Sequence, residues 1–229
     1  MVNAKTLLRD VFGFKKFRPG QLEIIDAVAC GENVLAIMPT GGGKSLCFQL
    51  PALLNDGLTV VISPLIALMR DQVRGLKAVG VAAGAITSGN TQEEMDQVLS
   101  QIYSGDLKLL YLAPERLVSR KIQNILSSSN VTSIAVDEAH CVSQWGHDFR
   151  PDYLGIGELR RKLCVPLSAF TATADKETQQ EIMERLFEGA APKVFLRGFD
   201  RPNIYLSFMP KDNPRPVSYT HLTLPTTEA

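Results

Sequence analysis

The chain has 229 residues, 45% of them hydrophobic and 21% charged, with 24 Lys plus Arg balanced by 24 Asp plus Glu. That length buries a core without disulfide or metal staples, and the composition excludes a disordered or collagen-like chain. Zero net charge removes any global electrostatic case for a nucleic acid or membrane partner, so such a partner has to be argued from local residues. Cys30, Cys47, Cys141 and Cys164 are scattered without a CxxC pair, and the chain has 3 His, so neither a disulfide framework nor a zinc site is indicated. A reducing cytosol fits this usage. The N-terminal MVNAKTLLRD has no apolar signal core, and no run approaches the roughly 18 apolar residues of a membrane span. A soluble cytoplasmic protein with no membrane partner is expected.

In chain order, short β-branched runs alternate with amphipathic stretches, the rhythm of a parallel sheet with crossover helices. The segment Gly20 to Cys30 reads as a helix stopped by Gly31. Val34 to Met38 reads as a strand, followed by a glycine-rich turn and a helix starting near Lys44. Leu58 to Ser63 is the next strand. Leu65, Met69, Val73 and Leu76 share one face of a helix closed by Gly80. Val81 to Thr87 is a strand, and Thr91 with Glu94 spells a capping box before the stripe Met95, Val98, Ile102 and the stop at Gly105. Further strands are expected at Leu107 to Leu112, Ser133 to Asp137, Leu167 to Thr171 and Lys193 to Arg197, several of them unbroken apolar runs as in strands covered on both faces. From Pro210 to Ala229 four prolines and a Thr-rich string show no period. That end reads as disordered, and as foreign sequence of the kind a cloned or assembled reading frame runs into.

Two segments carry chemistry. In Pro39-Thr-Gly-Gly-Gly-Lys-Ser45 the glycines Gly41, Gly42 and Gly43 let successive N–H groups turn inward to phosphate oxygens, and the following helix adds its positive dipole end. Lys44 would reach the β and γ phosphates and Ser45 would hold magnesium. The pattern GxxxxGK[ST] wants Gly where this chain has Met38. Asp137-Glu-Ala-His140 puts two carboxylates at the carboxyl end of a buried strand, where ligands of open α/β sheets sit. Asp137 suits the metal, and Glu138 suits orienting and deprotonating the attacking water. A polar strand end with a helix cap is the plainer reading of a lone Asp-Glu, and a packing residue that of a lone His140.

The set TGGGKS, DEAH, SQWGHDFRP (Ser143 to Pro151), TATA (Thr171 to Ala174) and DRPN (Asp200 to Asn203) resembles the RecQ-type ATP-dependent DNA helicases of superfamily two, over residues from about 7 to 208. The resemblance implies an α/β fold: a RecA-like P-loop NTPase domain, mostly parallel sheet with helices on both faces, spanning 1–208, with an adenine-recognition segment at about 7–30. It implies ATP and Mg2+ as cofactors, contacted by Phe14, Arg18, Gln21, Thr40, the three glycines, Lys44 and Ser45, with Ser45 and Asp137 on the metal and Lys44, Asp137 and Glu138 in catalysis. Gln21 would read the base edge and Phe14 would stack on adenine. Phe12, Phe14 and Phe17 read equally as core, with at least one expected there.

Trp145, His147, Phe149 and Arg150 resemble the family's aromatic-rich loop, which couples DNA contact to hydrolysis; bases stack on such rings whatever their identity. Thr171 and Thr173 match the motif linking nucleotide state to strand contact, or else end a strand and cap the helix that carries Ile182, Met183 and Leu186. Ser63, Pro64 and Leu112 to Arg116 resemble further strand-contacting motifs. The implied partner is single-stranded or forked DNA, with 3'-to-5' unwinding in repair and recombination, in a bacterial cytosol or nucleoid. The family motor needs a second RecA-like lobe that supplies an arginine finger, and this sequence is expected to hold the first lobe alone. Two rivals stand beside it: an isolated nucleotide- and DNA-binding module, and an unrelated P-loop ATPase.

Overall fold

The computed structural model describes residues 3–144 and 148–197. Its seven strands are β1 (Val34–Ile37), β2 (Leu58–Ile62), β3 (Ala83–Ile86), β4 (Leu109–Leu112), β5 (Val131–Val136), β6 (Leu167–Thr171) and β7 (Lys193–Leu196). All pair in parallel, in the order β3-β4-β2-β5-β6-β1-β7. Each expected strand is present, most shortened by a residue or two at an end. The helices are α1 (Ala4–Asp10), α2 (Gln21–Ala29), α3 (Leu46–Leu54), α4 (Ile66–Ala78), α5 (Gln92–Ser104), α6 (Arg120–Ser128), α7 (Gly155–Leu163) and α8 (Lys176–Ile182).

Alternation along each strand splits the core into two layers. Val34 and Ala36 face the side covered by α1 to α4, whose Ile24, Phe48, Leu50 and Met69 are fully or nearly fully buried. Leu35 and Ile37 face the side covered by α5 to α8, with Val98, Ile122, Ile156 and Ile182. Because β1, β2, β4 and β6 are buried along their whole length, these strand runs carry no polar alternation and read as continuous apolar text, whereas β7 at the sheet edge is largely exposed.

The capping box of α5 is formed: Thr91 accepts from the Glu94 N–H, Glu94 accepts from the Thr91 N–H, and Gly105 closes the helix at φ 78°. Two local expectations differ from the structure. Neither Thr171 nor Thr173 caps α8; Asp175 does, its Oδ1 accepting from Thr178 N at 2.8 Å. The carboxylate is the stronger acceptor for the orphan N–H, and the Thr171 hydroxyl is spent inside the TATA turn. The helix expected to carry Ile182, Met183 and Leu186 ends as α-helix at Ile182 and widens into a π-helical turn over Met183–Phe187.

Trp145, His147, the DRPN segment and the tail expected to be disordered lie outside the described residues. Among the described residues no helix is long and apolar enough to cross a membrane.

Candidate nucleotide site and DNA-coupling segment

With every strand parallel, all strand carboxyl ends lie at one edge of the sheet, and the order β5-β6-β1 brings DEAH within one strand of the glycine-rich loop. The loop has the curl its glycines imply. Gly41 and Gly43 sit at φ 78° and 82°, and a Cβ on Gly42 would lie 2.8 Å from the Pro39 carbonyl oxygen. Any other residue type would strain or unseat the turn. Ser45 precedes α3, and no side chain caps that helix end; the N–H groups of Cys47 and Phe48 are taken by the carbonyls of Lys44 and Ser45.

Gln21 is 3% exposed. Its Oε1 accepts from Arg18 N at 2.7 Å and its Nε2 donates to the carbonyls of Gly42 and Gly43, at 3.4 and 3.2 Å. The expected adenine segment therefore does border the phosphate loop, but much of the Gln21 carboxamide is used to hold that loop. The Arg18 side chain runs alongside, its Cδ 3.9 Å from where a Gly43 Cβ would stand. Phe14 is exposed at 56%, whereas Phe12 and Phe17 pack on the core, as expected of at least one of the three. Thr40 is exposed beside the loop.

Asp137 is 4% exposed at the end of β5. Its N–H donates to Ile62 O at 2.8 Å, and Tyr153 Oη donates to its carbonyl at 3.0 Å, so its backbone is held from two sides. Burial, and then the charge of Glu138, push its carboxyl up to about 6, against the pull of the Glu138 N–H, the Lys44 ammonium and the Ser63 hydroxyl. Ser63 Oγ is itself buried without a hydrogen bond of ordinary geometry, which makes it the weakest of those pulls. A buried carboxylate and an orphan hydroxyl facing a lysine fit a site built for a cation and phosphate oxygens. The three-carboxylate or His/Cys cluster of an all-protein metal cage is absent among the described residues.

Glu138 adopts the left-handed backbone at φ 48°, ψ 48°, a conformation costly for a side-chain-bearing residue and concentrated at functional sites. The kink starts the 3-10 turn Ala139–Val142. His140 Nδ1 lies 2.9 Å from Thr171 Oγ1, and the Thr171 hydroxyl donates to Thr173 O at 2.9 Å. With its one proton so committed, Thr171 accepts from His140, which assigns the proton to Nδ1. Glu138 Oε2 is 3.4 Å from the same nitrogen. Glu138, His140, Thr171 and Thr173 thus form one polar chain from β5 to the end of β6, which neither motif reveals alone.

The segment after DEAH is anchored at both ends. Glu181 on α8 accepts from Ser143 Oγ at 2.5 Å and from Gln144 N at 2.8 Å, and its other oxygen accepts from Arg185 Nη2 at 2.8 Å. Arg150 is exposed, yet its N–H donates to Cys141 O and its Nη1 donates to Pro64 O at 3.2 Å, tying the segment to the end of β2. Phe149 is half-buried. Glu181 and Tyr153 were missed from sequence, since a Glu mid-helix and a Tyr in an apolar run carry no local signal of their remote partners.

The model of the "DEAD/DEAH box helicase" family matches residues 18–182. The chain belongs to this family. It is 48% identical over 212 residues to the ATP-dependent DNA helicase RecQ of Haemophilus influenzae, covering 92% of this chain and 34% of that protein. It is 48% identical to the RecQ helicase of Pasteurella multocida, with 92% and 33% covered. The chain therefore spans about a third of the length of these two relatives. Among solved structures, the DUF1998 helicase MrfA bound to DNA and AMPPNP matches with TM-score 0.69 at 18% identity, covering 86% of this chain and 29% of that one. The Hef helicase domain of Pyrococcus furiosus matches with TM-score 0.64 at 21% identity, covering 85% of this chain and 40% of that one. At such identities the two structures speak to the fold, which is the one expected of a DEAD/DEAH lobe.

Proposed function

We propose that this chain is the nucleotide-binding RecA-like lobe of a RecQ-type DNA helicase, which binds Mg-ATP at the sheet edge and passes its state to single-stranded or forked DNA. The observation that carries the reading is the convergence of the phosphate loop and DEAH at strand ends one strand apart, with Lys44 acting on the buried Asp137. Bound Mg-ATP would supply the γ-phosphoryl group and the divalent charge that draws Asp137 into its ionised form. The loop N–H groups and Lys44 hold phosphate oxygens, Ser45 and Asp137 hold the metal, and Glu138 orients a water and takes its proton. Phe14 offers its exposed face to the base, with Arg18 and the free part of Gln21 beside it. The Glu138-His140-Thr171-Thr173 chain ties the water-orienting carboxylate to the strand end that precedes α8, and Glu181 of α8 holds the start of the DNA-coupling segment. Trp145, His147, Phe149 and Arg150 serve that segment's contact with DNA.

Turnover in this family's manner needs a second lobe, and an arginine finger supplied by such a partner is worth about a thousandfold or more in comparable sites. The 229-residue chain by itself is therefore expected to bind Mg-ATP, hydrolyse it slowly and leave duplex DNA intact. Titration with a fluorescent ATP analogue checks the site: Lys44→Ala should lose binding while keeping the melting temperature. Unchanged affinity in that variant would remove the loop from the site, and DNA-stimulated turnover at an ordinary helicase rate would overturn the single-lobe reading.

A further inference from the structure

The polar contacts around DEAH and TATA close into a ring. His140 donates from Nδ1 to Thr171 Oγ1 at 2.9 Å, and its carbonyl accepts from Ser143 N at 3.0 Å. One residue thus touches both the end of β6 and the start of the DNA-coupling segment. From Thr171 the chain runs through the TATA turn straight into α8, whose first turn is fixed to it: Asp175 caps the helix, and Gln179 Nε2 donates back to Ala174 O at 2.9 Å. Turn and helix are therefore held as one body. Glu181 stands about 8 Å along α8 from its first residue, at 1.5 Å per residue. Its bonds to Ser143 and Gln144 complete the ring.

That last link is built to hold. One Glu181 oxygen takes the Ser143 hydroxyl and the Gln144 N–H, and the other takes the Arg185 guanidinium at 2.8 Å. The Glu181 side chain is 14% exposed and that of Arg185 27%, so water screens this pair far less than an open surface ion pair. The Ser143 hydroxyl first, and then Arg185 and the Gln144 N–H, hold the Glu181 carboxyl below its ordinary range, which keeps it ionised near neutral pH. Hydrogen bonds to an ionised acceptor are about twice as strong as neutral ones. The other end of the segment is tied by Arg150 to Cys141 O and Pro64 O, neither of which belongs to α8. Glu181 is thus where α8 takes hold of the segment.

We propose that Glu181 is a positioning residue that carries nucleotide state to the DNA-coupling segment. Nucleotide bound at Glu138 shifts the TATA turn through His140 and Thr171, α8 moves with the turn, and Glu181 passes the displacement to Ser143, Gln144 and the adjoining Trp145. The inference rests on the nucleotide and DNA reading above, and adds to it the residue without which the two sites ignore each other. Linkage makes the coupling reciprocal: the factor that bound nucleotide lends to DNA affinity is the factor that bound DNA returns.

The chain has 1 Trp, Trp145, so its intrinsic emission reports on this segment. The full chain is titrated with a non-hydrolysable ATP analogue and magnesium, following Trp145 emission, while calorimetry measures the affinity independently. In the wild type the emission should change with the same midpoint as binding. Glu181→Ala should keep the analogue affinity within about twofold and lose the emission change, and Glu181→Gln, which retains one acceptor oxygen, should recover part of it. Thr91→Ala, destabilised at the distant α5 cap, should keep the full signal, which separates loss of the link from loss of stability. Oligo-dT should raise analogue affinity by about fivefold or more in the wild type, and that factor should fall to one in Glu181→Ala. Absence of analogue binding to the wild type, or unchanged binding by Lys44→Ala, would overturn the nucleotide reading and this inference with it. Analogue binding that leaves Trp145 emission unchanged, a signal that survives in Glu181→Ala, or an equal loss in Thr91→Ala would overturn this inference alone.

Discussion

Replacing Asp137 by Asn should stabilise the ligand-free protein, because the site keeps a buried charge that folding by itself does not favour. Asp137 is 4% exposed, and its carboxyl is pushed up to about 6 by burial and by Glu138. Against an ordinary Asp near 3.9, the difference corresponds to about 3 kcal/mol at 1.36 kcal/mol per pH unit. Asn keeps the shape, and its Oδ1 can still accept from Glu138 N, now at 3.0 Å from the Asp137 carboxylate.

The sign follows from proton counting. Between about pH 4 and 6 the folded protein retains a proton that the unfolded chain has released, so wild-type stability falls as pH rises through that window and levels off above it. The Asn variant lacks this loss. At pH 7.5 it should melt about 6 to 12 °C higher, at the 2–4 °C per kcal/mol expected for a domain of this size. By pH 4 the gain should vanish. Calorimetry across pH 4 to 8 without nucleotide measures it; equal melting temperatures at pH 7.5, or a gain that persists at pH 4, would refute the argument.

Three other outcomes are expected. In a two-lobed parent protein, Glu138→Gln should retain ATP binding and lower hydrolysis steeply, since an amide holds water without taking its proton, and parallel binding and steady-state assays separate the two. Glu181→Ala should cost about 1 kcal/mol or more by freeing Ser143 Oγ, Gln144 N and Arg185, with Glu181→Gln recovering part of the loss, as read by denaturant unfolding. Thr91→Ala should cost about 1 kcal/mol by opening the α5 capping box, seen as faster amide exchange in the first turn of that helix with nucleotide affinity unchanged.

Much of this protein is legible locally. The seven strands and the capped and glycine-stopped helices follow from short-range rules, because a buried strand must be apolar on both faces and a helix end must find acceptors and donors within a few residues. The glycine-rich loop and DEAH were legible for a similar reason: phosphate and metal contact demand particular residue types in consecutive positions. The cap of α8 was misassigned because Thr171, Thr173 and Asp175 all suit a helix start, and only the turn geometry shows the Thr171 hydroxyl already engaged.

The sequence by itself determined the seven strands, the helices α2 to α5, the phosphate-binding turn and the acidic strand end, together with the family resemblance they carry, but not α1, α6 and α7. Tertiary structure alone decided that β5 and β1 stand one strand apart, that Gln21 holds the phosphate loop, that His140 meets Thr171, and that Glu181 grips Ser143 and Gln144. It also decided that β3 is the outermost strand at one end of the sheet. Strand order follows from how crossover helices share two buried faces, a long-range competition that leaves no mark on any one segment. Polar partners tens of residues apart become recognisable only once the sheet has set their strand ends side by side.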